Sequence, residues 1–246
     1  MARSITVGES EKVKFVTNTY SWMGIALLIS AFAAYITAKM VFTDETQQIR
    51  TAFGDFLFGG YAIGFWIFAI LELVLVFLLS SSIRKISLQT AVAGFILYAL
   101  INGVTLSSIF AAYKLASIAK TFIVTAAMFG TMAIYGSVTK RNLMTLGRYL
   151  LMALVGIIIA SVVQFVFNRF LKLNTTLLDF IISIVSVIVF TGLTAYDSQK
   201  IMKIAFHSNG NNDYKKISIM AALEIYLDFI NLFLTLLRFF GKQKDN

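Results

Sequence analysis

With 246 residues, 59% of them hydrophobic and only 13% charged, at a mean hydropathy of +0.82, this chain lies far from a water-soluble domain, where about 25% of residues are charged. It reads as an all-α integral membrane protein, one transmembrane domain over residues 1–246 with residues 1–19 as a polar N-terminal segment. The absence of cysteine excludes disulfides, thiolate metal sites and a cysteine nucleophile, the single histidine, His207, sits in a polar loop and leaves no histidine-based metal or triad chemistry, and the net charge of +9 falls in short loops, where it speaks for membrane topology and against nucleic acid.

Seven apolar stretches follow in order. The first runs from about Tyr20 to Phe42, with Trp22 as an interfacial anchor. It is long enough to stay as a permanent span, so no cleavable signal peptide is expected. The second covers about Gly59 to Leu79 and carries Glu72 near its middle; its GYAIG, Gly60 to Gly64, is a small-xxx-small pattern that lets helices approach closely. The third covers about Ile86 to Tyr113 and includes INGVTLSS. The fourth, about Thr121 to Val138, ends in the basic turn TKRNLMTLGR. The fifth covers about Tyr149 to Phe167 and the sixth about Leu177 to Tyr196, closing at Asp197. The loop DSQKIMKIAFHSNGNNDYKK is the longest and most polar, and leads to the seventh span, Ile217 to Phe240. Proline is absent, so any broken helix must use glycine.

The N-terminus, the C-terminus and the loops divide the 21 Lys and Arg into twelve on the side of the N-terminus and nine on the other. That bias places the N-terminus in the cytoplasm and the C-terminus outside.

The seventh span is the most informative. Glu224, Asp228, Asn231 and Thr235 are spaced four, three and four apart, which puts them on one face of a helix, and Arg238 extends the stripe toward the membrane surface. A charge at membrane depth costs at least about 2.5–3.5 kcal/mol on insertion scales, so the stripe must face protein or water. Asp197 and Asp228 lie on successive spans and meet if the helices pack with a tilt or a shifted start. Two buried carboxylates in contact cannot both ionise easily and titrate as a unit, which makes a proton-sensitive latch. The same oxygens suit Ca²⁺, a hard cation. Arg84 competes as a partner of the acids. The plainer readings stay open: Asp197 in a wet interfacial loop, Glu72 as hydrogen-bonding glue between helices, Arg84 as a topology anchor beside Lys85.

TGLTAYDSQKI, Thr191 to Ile201, together with ALEIYLDFINLFLTLLRFFG, Ala222 to Gly241, resembles the signature of the Bax inhibitor-1 (TMBIM, UPF0005) family in its bacterial branch. MFGTMAIYGSVTKRNL, NGVTLSSIF and TYSWMGIALLISAFAAY resemble that branch too, so the likeness covers nearly the whole chain. The resemblance implies six helices sandwiching a central seventh, and a pH-sensitive Ca²⁺ leak in the bacterial inner membrane with an aspartate pair as proton sensor and gate. The pair maps to Asp197 and Asp228, which would also be the Ca²⁺ ligands. The glutamate of the second span maps to Glu72, and the pair's basic switching partner to Arg84. Glu72, Glu224 and Asn231 are candidate groups of an ion pathway. Partners implied are Ca²⁺, protons, the bilayer, and a membrane-bound protease or other membrane proteins; no cofactor and no enzymatic activity are expected.

Three other classes compete. An intramembrane aspartyl protease would use Tyr196-Asp197 and Asp228, but YLDF is not a Gly-x-Gly-Asp setting and a chain without proline lacks Pro-Ala-Leu. A retinal receptor needs a lysine within a span, and the seventh offers none before Lys242. A non-transporting regulator that binds other membrane proteins, with a stress or cell-death role, is the alternative to the channel.

Overall fold

In the computed structural model the described residues are 2–41, 51–60, 62–83, 85–171, 175–207 and 211–244. Among them the chain forms nine helices: α1 (Ala2–Val41), α2 (Ala52–Phe58), α3 (Ile63–Ser82), α4 (Leu88–Leu106), α5 (Ser108–Ala112), α6 (Leu115–Val138), α7 (Met144–Phe170), α8 (Thr176–Ala205) and α9 (Asn212–Phe240). Seven spans are long and apolar enough to cross a membrane, α4 and α5 counting as one. In the apolar core of a bilayer a backbone must satisfy its own N–H and C=O groups, and a helix does so within one segment. The protein is an all-α integral membrane protein.

The helices outrun the apolar stretches. Residues 2–19, within the segment 1–19 read as polar and N-terminal, are helical and continuous with the first span. At about 1.5 Å per residue, α1 is about 60 Å long, twice a hydrocarbon core of about 30 Å. α8 continues past Tyr196 to Ala205, and α9 begins five residues before Ile217. Hydropathy marks the lipid-filled part of a helix; charged side chains such as Lys200 and Lys215 propagate a helix as well as leucine does. The early start of α9 also brings Lys215 and Lys216 into that helix, ahead of Lys242, although only in its first two turns.

Two further expectations change. Gly60 and Gly64 do not share a helix: Gly60 and Ala62 have φ of +28° and +48°, a left-handed turn between α2 and α3 where glycine is the least strained residue. The third span breaks at Ser107, where Ser107 and Ser108 each donate a side-chain bond to the carbonyl three residues back and the Thr105 hydroxyl lies 2.9 Å from the Asn102 carbonyl. Such bonds compete with the backbone ladder and bend helices.

The chain clusters into two compact units. One comprises Met1–Leu115, Ala205–Tyr226 and Gln243–Asn246; the other Ala116–Ile204 and Leu227–Lys242. In the first, α4 packs against α1 and α3. A Cβ on Gly103 would stand 2.6 Å from the Ser30 carbonyl oxygen, so only glycine permits the approach of α1 to α4 there. The edges of Phe95 and Tyr98 meet the Tyr226 ring, at 6.0 and 5.9 Å. In the second unit, Leu150 of α7, Val189, Phe190 and Leu193 of α8, and Leu232 and Leu236 of α9 form one buried apolar cluster. Phe122 and Phe129 of α6 pack edge-on against Phe229. Over the most apolar eighteen residues of each span α9 is the most enclosed, 67% buried against 6% for α7.

Candidate functional site

The last two helices bring a pair of carboxylates into the same unit. Asp197 and Asp228 are both buried, with 8% and 6% of their surface exposed. Asp197 is not in a wet loop: it lies inside α8, eight residues before Ala205, because the helix continues past the apolar stretch. Leu193 of α8 and Leu232 of α9 belong to one cluster. Only residues 206–211 separate the two helices, so they cross in opposite directions. One turn forward from Leu193 is Asp197, and one turn back from Leu232 is Asp228. Both steps run the same way along antiparallel helices, so each carboxylate lies one turn beyond this shared apolar cluster on its own helix.

The backbone around Asp197 is clamped. A Cβ on Gly136 of α6 would overlap the Ala195 carbonyl, and one on Gly147 of α7 would overlap the Tyr196 ring. Gln199 takes the Leu143 N–H at 2.9 Å on its side-chain oxygen and donates to the Arg141 carbonyl at 2.7 Å. Lys203 adds a bond to the Asn142 side chain at 3.1 Å. The basic turn between α6 and α7 is thus bound to the α8 turn that carries Asp197. Sequence reading missed Gln199; its only signal was a neutral amide among charged residues in a loop that proved to be helix.

The polar stripe of α9 divides. Asp228 is buried, while Glu224, Asn231 and Thr235 are half-buried and alternate with Leu227 and Leu234 on the less enclosed face. Thr235 donates back to the Asn231 carbonyl at 2.7 Å, which satisfies its hydroxyl within the helix. Arg238 pairs with Asp179 of α8 at 3.2 Å, both well exposed, in keeping with an end-of-span anchor. Arg84, expected as the switching partner, lies outside the described residues.

Glu72, on α3, belongs to the other unit and has its own partners. Its Oε2 accepts from the Asn102 amide at 3.0 Å and its Oε1 from the Thr105 hydroxyl at 2.7 Å. The other side of the Asn102 amide, Oδ1, accepts from the Tyr226 hydroxyl at 2.7 Å, and that hydroxyl also meets Ser30 at 2.7 Å. One hydrogen-bonded chain therefore joins α1, α9, α4 and α3. Bonds to a charged acceptor contribute about 1.5–3 kcal/mol each, so two of them offset the 2.5–3.5 kcal/mol or so that a charge costs at membrane depth. The sequence singled out Glu72 but not Ser30, Asn102, Thr105 or Tyr226. Each is an ordinary residue in a membrane helix until its neighbour is known. Among the described residues no three His, Cys, Asp or Glu side chains converge as a metal-binding group.

The fold and these buried carboxylates define a polytopic membrane protein of seven spans with ionisable groups held inside it. Residues 12–245 match the family described as "Inhibitor of apoptosis-promoting Bax1". The chain belongs to the Bax inhibitor-1 family. It is 41% identical over 232 residues to the inner membrane protein YbhL of Escherichia coli K12, covering 94% of this chain and 92% of that one. It is 42% identical over 236 residues to an uncharacterized protein of Borreliella burgdorferi, covering 96% and 94%. An uncharacterized membrane protein of Streptococcus pyogenes is 34% identical over 230 residues, covering 94% and 93%.

Proposed function

We propose that the protein is a pH-sensitive cation leak, with Ca²⁺ as the ion, gated by Asp197 and Asp228. What carries this reading is the burial of two carboxylates on the last two helices, each one turn from the apolar cluster those helices share. Two such groups in contact titrate as a unit in two separate steps, and each step changes the charge of the pair by one. The charge acts on whatever lies between the helices, because a low-dielectric surrounding screens it poorly.

Ca²⁺ takes six to eight oxygen ligands, and two carboxylates supply at most four of them. The rest would come from backbone carbonyls and water, which suits a passing ion better than a resident one. Glu72, Glu224 and Asn231 would serve along the pathway, and Arg84 as the pair's alternative partner. The bacterial inner membrane is the proposed location, in line with the name of the Escherichia coli relative, with the N-terminus in the cytoplasm and the C-terminus outside.

The test is flux through the purified protein in proteoliposomes that enclose a Ca²⁺ indicator, with no partner present. Flux should change steeply with pH. Asp197→Asn and Asp228→Asn should each shift or remove that dependence. A pH dependence unchanged in both variants refutes the gate. An absence of any flux from the protein alone refutes the leak and favours a regulator that acts by binding other membrane proteins, such as a membrane-bound protease.

A further inference from the structure

Glu72 presents two differently equipped oxygens. Oε2 faces an amide that can only donate. The amide is held that way round because Tyr226 spends its single hydrogen on Asn102 Oδ1, at 2.7 Å, which leaves Nδ2 to point at the carboxylate. Oε1 faces the Thr105 hydroxyl, and a hydroxyl can donate or accept. Thr105 has a second acceptor ready, the Asn102 backbone carbonyl at 2.9 Å.

We propose that Glu72 is a proton-binding site in its own right, separate from the aspartate pair, with Thr105 as its rotor. In the ionised form Thr105 donates to Oε1. In the protonated form the proton, taken from water, sits on Oε1 and is donated to Thr105 Oγ1, whose own hydrogen turns to the Asn102 carbonyl. Neither state leaves a group unsatisfied and no heavy atom has to move. Tyr226 and Asn102 act as positioning residues, fixing Oε2 as the acceptor in both states.

The groups facing Glu72 are few. From α4 come Tyr98, Asn102 and Thr105, and from α9 comes Tyr226, with Ser30 of α1 behind it. The titratable ones, Tyr98 and Tyr226, are phenols, neutral through the physiological range. Among the described residues no ion pair reaches Glu72.

The inference does not rest on ion flux, and neither does its test. Infrared difference spectra of the full-length protein in lipid, recorded between high and low pH, should contain a carboxylic C=O band that Glu72→Gln removes. The band should persist in the Asp197→Asn/Asp228→Asn double variant. Thr105→Val deletes a bond that is stronger to the anion than to the acid, and should move the midpoint of this band upward by about one to two pH units. Thr105→Ser, which keeps the hydroxyl, should restore it. A spectrum from which Glu72→Gln removes nothing overturns the proposal, and so does a midpoint that Thr105→Val leaves in place. Where Glu72→Gln fails to fold, the two Thr105 variants decide alone.

Discussion

Replacing Tyr226 by phenylalanine removes one oxygen from the fully enclosed centre of a hydrogen-bonded chain while keeping the ring. Tyr226 has 0% of its surface exposed, so water cannot fill in for the lost hydroxyl. Its two neighbours fare differently. Ser30 keeps acceptors in the Ala99 carbonyl at 2.7 Å and the Ala26 carbonyl at 3.0 Å, so it stays satisfied. Asn102 Oδ1 loses its donor and becomes an orphaned acceptor. That costs about 1–3 kcal/mol in soluble proteins. Interhelical polar contacts in membranes average about 0.6 and reach about 1.7 kcal/mol, because the unfolded chain in lipid also finds partners. The expected loss for Tyr226→Phe is therefore about 1–1.7 kcal/mol. Ser30→Ala should cost less, about 0.5 kcal/mol, because Tyr226 then keeps its donated bond to Asn102 and loses only a bond to its own oxygen. Reversible unfolding in mixed micelles with rising SDS gives both values on one scale. A Ser30→Ala variant destabilised as much as Tyr226→Phe, or a neutral Tyr226→Phe, would refute the assigned direction of the chain.

Gly136→Ala should be poorly tolerated, losing about 1–3 kcal/mol or more, because its Cβ meets the Ala195 backbone, which cannot rotate away. Gly130→Ala, on the same helix with open space around it, should raise Tm, since alanine is better than glycine in a helix by about 0.5–1 kcal/mol. Thermal melts of the two variants side by side test both. Gln199→Ala strands the Leu143 N–H and the Arg141 carbonyl and should lose about 1–3 kcal/mol in the same assay, with Gln199→Glu intermediate because it keeps the acceptor. Arg238→Ala should change stability by less than about 0.5 kcal/mol, since its partner Asp179 is also well exposed, and raising the salt concentration should erase the difference.

Much of the architecture was legible in advance. Seven spans follow from apolar run length alone, because a bilayer admits no other use for about 20 consecutive apolar residues. Glu72 and Asp228 stood out because a carboxyl in such a run is too costly to be idle. The helix ends were not legible. Asp197 was read at the end of the sixth span and lies inside α8; the first span was read from about Tyr20, and its helix α1 already runs from Ala2. Hydropathy reports where lipid is, and a helix has no reason to stop where lipid stops. GYAIG was misread as well, since the pattern says nothing about the positive φ of Gly60 and Ala62, which keeps Gly60 out of the helix of Gly64.

The sequence by itself therefore determined the class, the number of spans and the costly acids, all of which are properties of single segments facing a solvent. The partners of those acids were decided by the tertiary structure. Glu72 meets a threonine and an asparagine about thirty positions away, and that asparagine is held by a tyrosine 124 positions further on. A hydrogen bond depends on which turns of different helices stand at the same level. That level is set by packing, by the close approach of α1 to Gly103 and of α8 to Gly136, and no local pattern encodes it.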